Sequence, residues 1–472
     1  MANDPSYPWP AFPWMAAFVA KQIADRIGML DHLMKLARLP RKLMGQAKLL
    51  RADPERFARN LMQSTHPDLF QQRLIDLVNA VPMHVRYDAS SRGGPVLNVL
   101  DSNWSMSGMT GGPNTVINLA CRVARHGVKV RLVATTTEPN IDRRKFRRHT
   151  ESLMGHADFP TIDIVSAANP DLPLPIGPND LFLATHWSTA QQLKDVLPGL
   201  PINQFFYMLQ EFEPGFYGWS SNFALALETF GLDFWPIVNQ RLLADYLLAL
   251  PHGRLNDPVM RKRALVFEPA VDQALFHPPI ATAPARPKRL LFYARPTNTR
   301  NMFGLGFKAL CQAAASPEFA GWEFLSIGSR DSLTDMPLGS GHILRRAPWM
   351  DYTGYAALLR EADLLLCPMM SPHTSYPVLE MIASGGLAVT NTFATKTAAA
   401  LHEIAPNIIA VPPTTTGLTQ GLLQGARQIN TRRPSQAPSL NMPRDWAASL
   451  DPIAERVAEI CRALTHRRVM ES

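Results

Sequence analysis

The sequence predicts an α/β protein built on two doubly wound parallel sheets that face each other, and three observations predict it. Short apolar runs alternate with helix-length segments from residue 96 onward. A proline-dominated connector at residues 278–287 cuts that series in two. Glycine, arginine or histidine recurs just past the carboxyl ends of the apolar runs, where open α/β sheets bind ligands. The 472 residues suffice for two core-building domains with residues to spare. An apolar content of 46% and a charged content of 18% argue against long disorder.

Residues 1–90 precede the alternation and are expected to form a helical N-terminal extension. Phe12, Met15, Val19, Ile23, Ile27, Leu30, Leu33 and Leu36 recur at three- to four-residue steps, opposite Lys21, Arg26, Lys35, Arg38, Arg41, Lys42 and Lys48. Such an arm, over residues 9–51, would lie peripherally on an anionic membrane with Trp9, Trp14 and Phe18 at headgroup level, or dock on the protein's own body or on a second copy in a homodimer. The apolar stretch Trp9 to Ala20 holds two prolines and is shorter than the roughly 20 residues of a membrane span. Asp4 is the one charged side chain ahead of Lys21, so no secretory signal is expected and the cytoplasm is the default compartment.

The first alternating domain is expected over residues 91–277. Its strands are read at Val96 to Asp101, Lys129 to Thr135, Leu181 to Thr185, Gln204 to Leu209, Phe234 to Asn239 and Leu265 to Val271, with a helix from Asn114 to His126. The second is expected over residues 288–440, with strands at Leu290 to Ala294, Glu323 to Gly328, Leu364 to Met369, Leu387 to Asn391 and Asn407 to Pro412. Residues 441–472 carry a last helix, read at about Asp451 to Leu464, that is placed to cross back to the first domain. The four cysteines are far apart and form no C-x-x-C pair, so they read as reduced and buried.

A net charge of +8 favours anionic partners. Arg295 and Arg300 stand at the mouth of the second domain's first strand, where arginine's planar fork can grip a phosphate. Glu380, on a helix between Ser371 and Gly385, could accept two hydrogen bonds from vicinal ribose hydroxyls or be an ordinary helix-surface acid. The run Gly108 to Asn114 lies between a strand and a helix, where glycine lets a ligand approach backbone N–H groups; a plain tight turn would read the same. His186 follows a first-domain strand, as a cleft histidine for a sugar hydroxyl or a structural one beside Trp187. Gln210 and Glu211 open an acidic, aromatic loop after another strand, a carbohydrate face or a capped loop. With no Asp-x-Asp, no metal-ligand spacing, no phosphate-loop lysine motif and no basic–aromatic platform, neither a metal, nor a cofactor, nor nucleic acid is expected.

Together these pieces resemble the GT-B glycosyltransferases, in particular glycosyltransferase family 4 and the WsaF-type rhamnosyltransferases, over residues 96–430. The resemblance is carried by Gly111-Gly112 with its helix, Glu268 to Phe276, Tyr293-Ala294-Arg295-Pro296 with Arg300, Ser375 to Asn391, and Tyr207 to Tyr217. It implies two facing Rossmann-like domains and a metal-independent, retaining transfer of a sugar. The donor would be a nucleotide-sugar, with dTDP-L-rhamnose the implied one; the acceptor would be a growing surface polysaccharide or lipid-linked glycan. Arg295, Arg300, Glu380, Ser375, Tyr376, Gly111 and Gly112 would meet the donor, His186, Arg295 and Glu380 would serve catalysis, and Gln210 and Glu211 would meet the acceptor. Two positions depart from the family pattern. Pro372 stands where a sugar-contacting glutamate is usual, and Arg300 replaces a lysine, keeping charge but changing geometry. Another GT-B activity, such as a nucleotide-sugar epimerase or a phosphorylase, and a catalytically silent glycan-binding module remain the alternatives.

Overall fold

A computed structural model describes residues 82–471 apart from 107–108, 110, 156–159, 280–285, 330–333 and 432–438. The amphipathic arm at residues 9–51 lies outside the described residues. In chain order the first nine strands are β1 (Val85–Tyr87), β2 (Val96–Asp101), β3 (Lys129–Ala134), β4 (Asp163–Ser166), β5 (Leu174–Ile176), β6 (Asp180–Ala184), β7 (Phe205–Leu209), β8 (Phe234–Asn239) and β9 (Leu265–Phe267). The next seven are β10 (Arg289–Tyr293), β11 (Glu323–Ile327), β12 (Met336–Gly339), β13 (His342–Arg346), β14 (Leu364–Leu366), β15 (Leu387–Asn391) and β16 (Ile408–Val411).

Two seven-stranded sheets result. The first, in the order β4-β3-β2-β6-β7-β8-β9, is parallel throughout. The second, β12-β13-β11-β10-β14-β15-β16, is parallel except for the β12–β13 hairpin at its edge. A separate parallel pair joins β1 to β5. The central strands β6, β7, β14 and β15 are buried at every position, as expected of parallel strands covered by helices on both faces. Each sheet accordingly has a core on either face: Leu97, Leu132 and Phe206 on one side of the first sheet and Phe182, Tyr207 and Phe234 on the other. In the second sheet Leu291, Leu365 and Ala388 oppose Leu290, Phe292 and Val389.

Two expected strands end early, at Phe267 rather than Val271 and at Leu366 rather than Met369. Pro269 and Pro368 follow, and proline has no N–H to continue a ladder. The last helix runs over Trp446–Glu471, longer than its apolar pattern indicates. Asp445 caps it, accepting from the Ala448 N–H at 2.8 Å. It packs on the first domain: Leu450, Ala454, Val457, Ala458 and Cys461 join that domain's core, and each larger apolar side chain contributes roughly 1.5–3 kcal/mol. Arg122, from the helix Gly112–Arg125, pairs with Asp451, and the Arg462 Nη1 donates to the His126 carbonyl at 3.0 Å. All four cysteines are free; Cys121, Cys367 and Cys461 are buried, whereas Cys311 is only half-buried, because it sits at the edge of its helix's apolar face.

Candidate active site

A doubly wound sheet reverses direction between its two central strands, and the loops leaving those strands splay apart to make a crevice. In the first sheet the reversal lies between β2 and β6, and in the second between β10 and β14. Gly111–Gly112 and His186 follow β2 and β6; Arg295 and Arg300 follow β10, and residues 367–375 follow β14. These residues therefore come from the four loops that topology assigns to a ligand, whereas Gln210 and Glu211 follow β7 and Tyr376 and Glu380 lie in the helix Tyr376–Ala383.

On the second domain's wall, a short 3-10 turn, Thr299–Asn301, carries Arg300. Its guanidinium lies 4.5 Å from the centre of the Phe216 ring, which belongs to the first domain, and its Nε is 3.3 Å from the Glu211 carboxylate. That second contact is a charge pairing, since the N–H is not aligned for a hydrogen bond. Burial lowers the Arg300 pKa and Glu211 opposes the shift. Arg295 forms no ion pair among the described residues and sits beside the Tyr293 hydroxyl. Gly328, at a φ of +91°, lies against the Tyr293 ring, where a Cβ would come within 2.6 Å.

Glu211 crosses between the domains. It is 6% exposed, and its carboxylate accepts from the Ser371 hydroxyl, from the Phe212 N–H at 3.1 Å and from His373 Nε2 at 3.0 Å. Burial alone would push its pKa up; His373, Arg300 and Ser371 outweigh that and hold it down at about 2. The other nitrogen of His373, Nδ1, meets the Thr374 carbonyl at 2.9 Å. A second buried acid, Glu213, accepts from the Trp187 N–H and from the Tyr207 hydroxyl at 3.1 Å; burial pushes it up to about 8.

Glu380 lies in the helix Tyr376–Ala383 and is 7% exposed. The Tyr352 hydroxyl donates to its Oε1 at 2.9 Å and the Tyr355 hydroxyl to its Oε2 at 3.0 Å. Burial raises its pKa to about 7, against the pull of both tyrosines. At the start of the same helix Ser375 donates to the Met369 sulfur at 3.2 Å. The Tyr376 hydroxyl reaches the first domain, accepting from Asn239 Nδ2 at 2.8 Å and lying 3.4 Å from Thr115 Oγ1.

On the first domain's wall Gly111 adopts a φ of +51°, which favours glycine, and starts the helix at Gly112. Gln210 donates to the Gly112 carbonyl at 3.2 Å. His186 caps the helix Trp187–Val196: its Nδ1 accepts the Ser188 N–H and lies 2.9 Å from the Ser188 hydroxyl, while its ring stacks on Phe216. Burial lowers its pKa to about 4, so the ring is neutral.

Sequence reading passed over several members of this cluster. Lys396 is 1% exposed, donates to the Met369 carbonyl at 2.8 Å, and is pulled down to about 8 by burial, with Cys367 and Glu211 opposing the shift. It lies five residues past the end of β15, so the strand-end rule that selects Arg295 also selects it. His373 and Ser371 lie just ahead of the Ser375 to Asn391 run that carries Glu380. Nothing in the sequence marks Tyr352 and Tyr355, which come from a different helix, Tyr352–Arg360. Buried polar atoms without a partner also gather here among the described residues: Gln210 Oε1, Asn239 Oδ1, Asn301 Oδ1 and Thr374 Oγ1. Such atoms fit a site whose hydrogen bonds are completed by a ligand.

The model of the WsaF N-terminal domain matches residues 97–238 and that of the WsaF C-terminal domain matches residues 288–423. The O-antigen biosynthesis protein RfbC of Myxococcus xanthus is 33% identical over 288 residues, covering 58% of this chain and 20% of that protein. The chain thus spans about a fifth of the length of this curated relative. Among solved structures, WaaG, a glycosyltransferase involved in lipopolysaccharide biosynthesis, is similar at 14% identity and a TM-score of 0.44, covering 77% of this chain and 99% of that one. The sucrose-phosphate synthase of Thermosynechococcus elongatus is similar at 13% identity and a TM-score of 0.46, covering 80% and 98%.

Proposed function

The chain belongs to the WsaF family of GT-B glycosyltransferases, and from that premise we propose that it moves a sugar from a nucleotide-sugar donor onto a growing surface polysaccharide or lipid-linked glycan. The observation that carries this reading is the set of cations, Arg295, Arg300 and Lys396, beyond the carboxyl ends of β10 and β15, of which Arg300 and Lys396 lie toward Glu211 of the first domain. A diphosphate is the ligand such a set suits, each charge-assisted hydrogen bond being worth roughly 1.5–3 kcal/mol. Arg295 and Arg300 would hold it and stabilise the charge left when the sugar departs, which supports a transfer that needs no metal and no other cofactor.

Glu380 would accept the two ribose hydroxyls as Tyr352 and Tyr355 give up their hydrogen bonds to it. Ser375 and Tyr376 would close on the donor from the start of that helix. Gly111, Gly112 and His186 would border the transferred sugar, and Gln210 would lie toward the acceptor. Likeness to WsaF supports dTDP-L-rhamnose as donor and retention at the anomeric carbon, and likeness to an O-antigen biosynthesis protein supports a surface-glycan acceptor. The basic arm at residues 9–51 would keep the enzyme on an anionic membrane surface; equal flotation with liposomes of chains with and without residues 1–60 would sink that assignment.

The deciding experiment is nucleotide release by the purified protein with a panel of dTDP-, UDP- and GDP-sugars and a mixed glycan acceptor. One donor is expected to give acceptor-stimulated release. Arg295→Ala is expected to cut that turnover at least tenfold, a loss of about 1.4 kcal/mol in transition-state binding, with an unchanged melting temperature. Full turnover in the folded variant removes Arg295 from the site.

A further inference from the structure

The turn Ser371-Pro372-His373 carries no acid of its own, yet a carboxylate lies against it, and that carboxylate belongs to the other domain. We propose that Glu211 is the positioning residue of the cleft: from the first domain it holds His373 and Arg300 of the second domain in place, so that the Arg300 guanidinium keeps its direction toward the departing diphosphate. This rests on the donor-site reading above and adds His373 and Glu211 to it.

The geometry of His373 carries the first step. Its Nδ1 meets the Thr374 carbonyl and its Nε2 meets the Glu211 carboxylate, and neither oxygen can donate. The ring is thus held at both nitrogens, by its own backbone on one side and by the first domain's carboxylate on the other. The geometry of Glu211 carries the second step. One oxygen takes the Ser371 hydroxyl and the Phe212 N–H, which leaves the other to His373 and Arg300. Arg300 is gripped from its other side by the Phe216 ring. The loop bearing Glu211 and Phe216 is itself pinned, through Glu213 to the Trp187 N–H and through Tyr217 to the Trp187 indole at 2.9 Å. The titratable groups around the pair are Arg300 and Lys396 on the second domain and Glu213 on the first. Burial keeps Glu213 uncharged at neutral pH, so Arg300 and Lys396 outnumber the single carboxylate Glu211 and an arriving diphosphate finds net positive charge whose direction Glu211 sets.

In the transfer, the bond between the anomeric carbon and the diphosphate oxygen breaks and its electron pair goes to the diphosphate. The acceptor oxygen forms the new bond, and its proton passes to the departing diphosphate. Glu211 exchanges nothing; it acts through His373 and Arg300.

The test compares wild type with Glu211→Gln, Glu211→Asp and His373→Gln by steady-state kinetics and by nitrogen NMR of protein labelled in its histidine rings, with His373→Gln assigning the signal. Glu211→Gln and His373→Gln are expected to lower kcat at least tenfold with the donor KM within threefold, and Glu211→Asp to restore part of it. In Glu211→Gln the His373 ring signals are expected to move, because the carboxylate partner of Nε2 is lost. His373 ring signals unmoved in Glu211→Gln, or a wild-type kcat in both Gln variants, overturns the proposal. Should Glu211→Gln fail to fold, His373→Gln decides the kinetic arm alone. Failure of the donor-site reading looks different: no release from any donor, and nucleotide diphosphate bound equally by wild type and Arg295→Ala. The ring spectra need no donor and still decide whether Glu211 holds His373.

Discussion

Glu211 and Glu380 are buried carboxylates from opposite sides of the cleft, and the two behave oppositely. Glu211 and Glu380 are 6% and 7% exposed, so burial alone would make both reluctant to ionise. Glu211 nevertheless sits at about 2 because His373 and Arg300 neutralise it, and both come from the other domain. Glu380 has two phenols for partners, both from its own domain, and rises to about 7. A phenol donates a hydrogen bond without bringing charge, so it offsets only part of the desolvation cost. The comparison teaches that the domain crossing is electrostatic at Glu211, whereas the Glu380 side is a self-contained polar pocket that a ligand can reopen without separating charges.

The largest expected effect follows from cutting the charged side. Glu211→Ala leaves His373 and Arg300 without their anion, and breaking a buried pair typically costs 3–5 kcal/mol; Arg300 is 27% exposed at its side chain, so about 3 kcal/mol is expected at pH 7. Denaturant unfolding of the full chain checks it, and a loss below 1 kcal/mol would show that the pairing does not hold the domains. The pH dependence separates the two acids. Glu211 has a folded pKa below its ordinary 4.5, so its contribution is present above pH 4.5 and disappears as pH falls toward 2. Glu380 has a folded pKa above 4.5, so its contribution is complete below pH 4.5 and disappears as pH rises through about 7, by up to about 3 kcal/mol. Glu380→Gln is therefore expected to flatten the stability curve between pH 4.5 and 7, leaving the slope that Glu213 maintains toward pH 8. An unchanged curve would mean that Glu380 is ionised throughout.

The sequence makes one of these sides far more legible than the other. The sheets were legible because β2, β8 and β15 are near-continuous apolar runs ending at polar residues, a local property. The shorter β4 and the β12–β13 hairpin were not, because Asp163 to Ser166 and Met336 to Arg346 mix polar and apolar residues at a sheet's edge. Arg295, Arg300 and Glu380 were found because strand ends and helix starts are local signals too. The pairing of Glu211 with His373 joins residues 162 apart in sequence, and the clamp on Glu380 comes from Tyr352 and Tyr355, 28 and 25 residues earlier. Such partners are chosen by the docking of whole elements, which no window along the chain contains. Gln240, which holds a φ of +83° and accepts the Thr374 N–H at 2.7 Å, is hidden for the same reason.

The smallest effects test whether the Glu380 pocket is indeed built from phenols, and they differ between its two tyrosines. Tyr352 is 55% exposed as a residue although its hydroxyl reaches Oε1, so water can replace that hydroxyl in Tyr352→Phe. The loss expected there is under about 1 kcal/mol, the net worth of an ordinary hydrogen bond. Tyr355 is only partly exposed and packs against the second domain's core. Tyr355→Phe strands Oε2 without a donor, and about 1–3 kcal/mol is expected from leaving a buried acceptor unsatisfied. Each tyrosine lowers the Glu380 pKa, so both variants should also shift the neutral limb of the stability curve to higher pH. Equal losses for the two variants would mean that water reaches both oxygens, and Glu380 would then resemble an exposed acid more than the buried counterpart of Glu211.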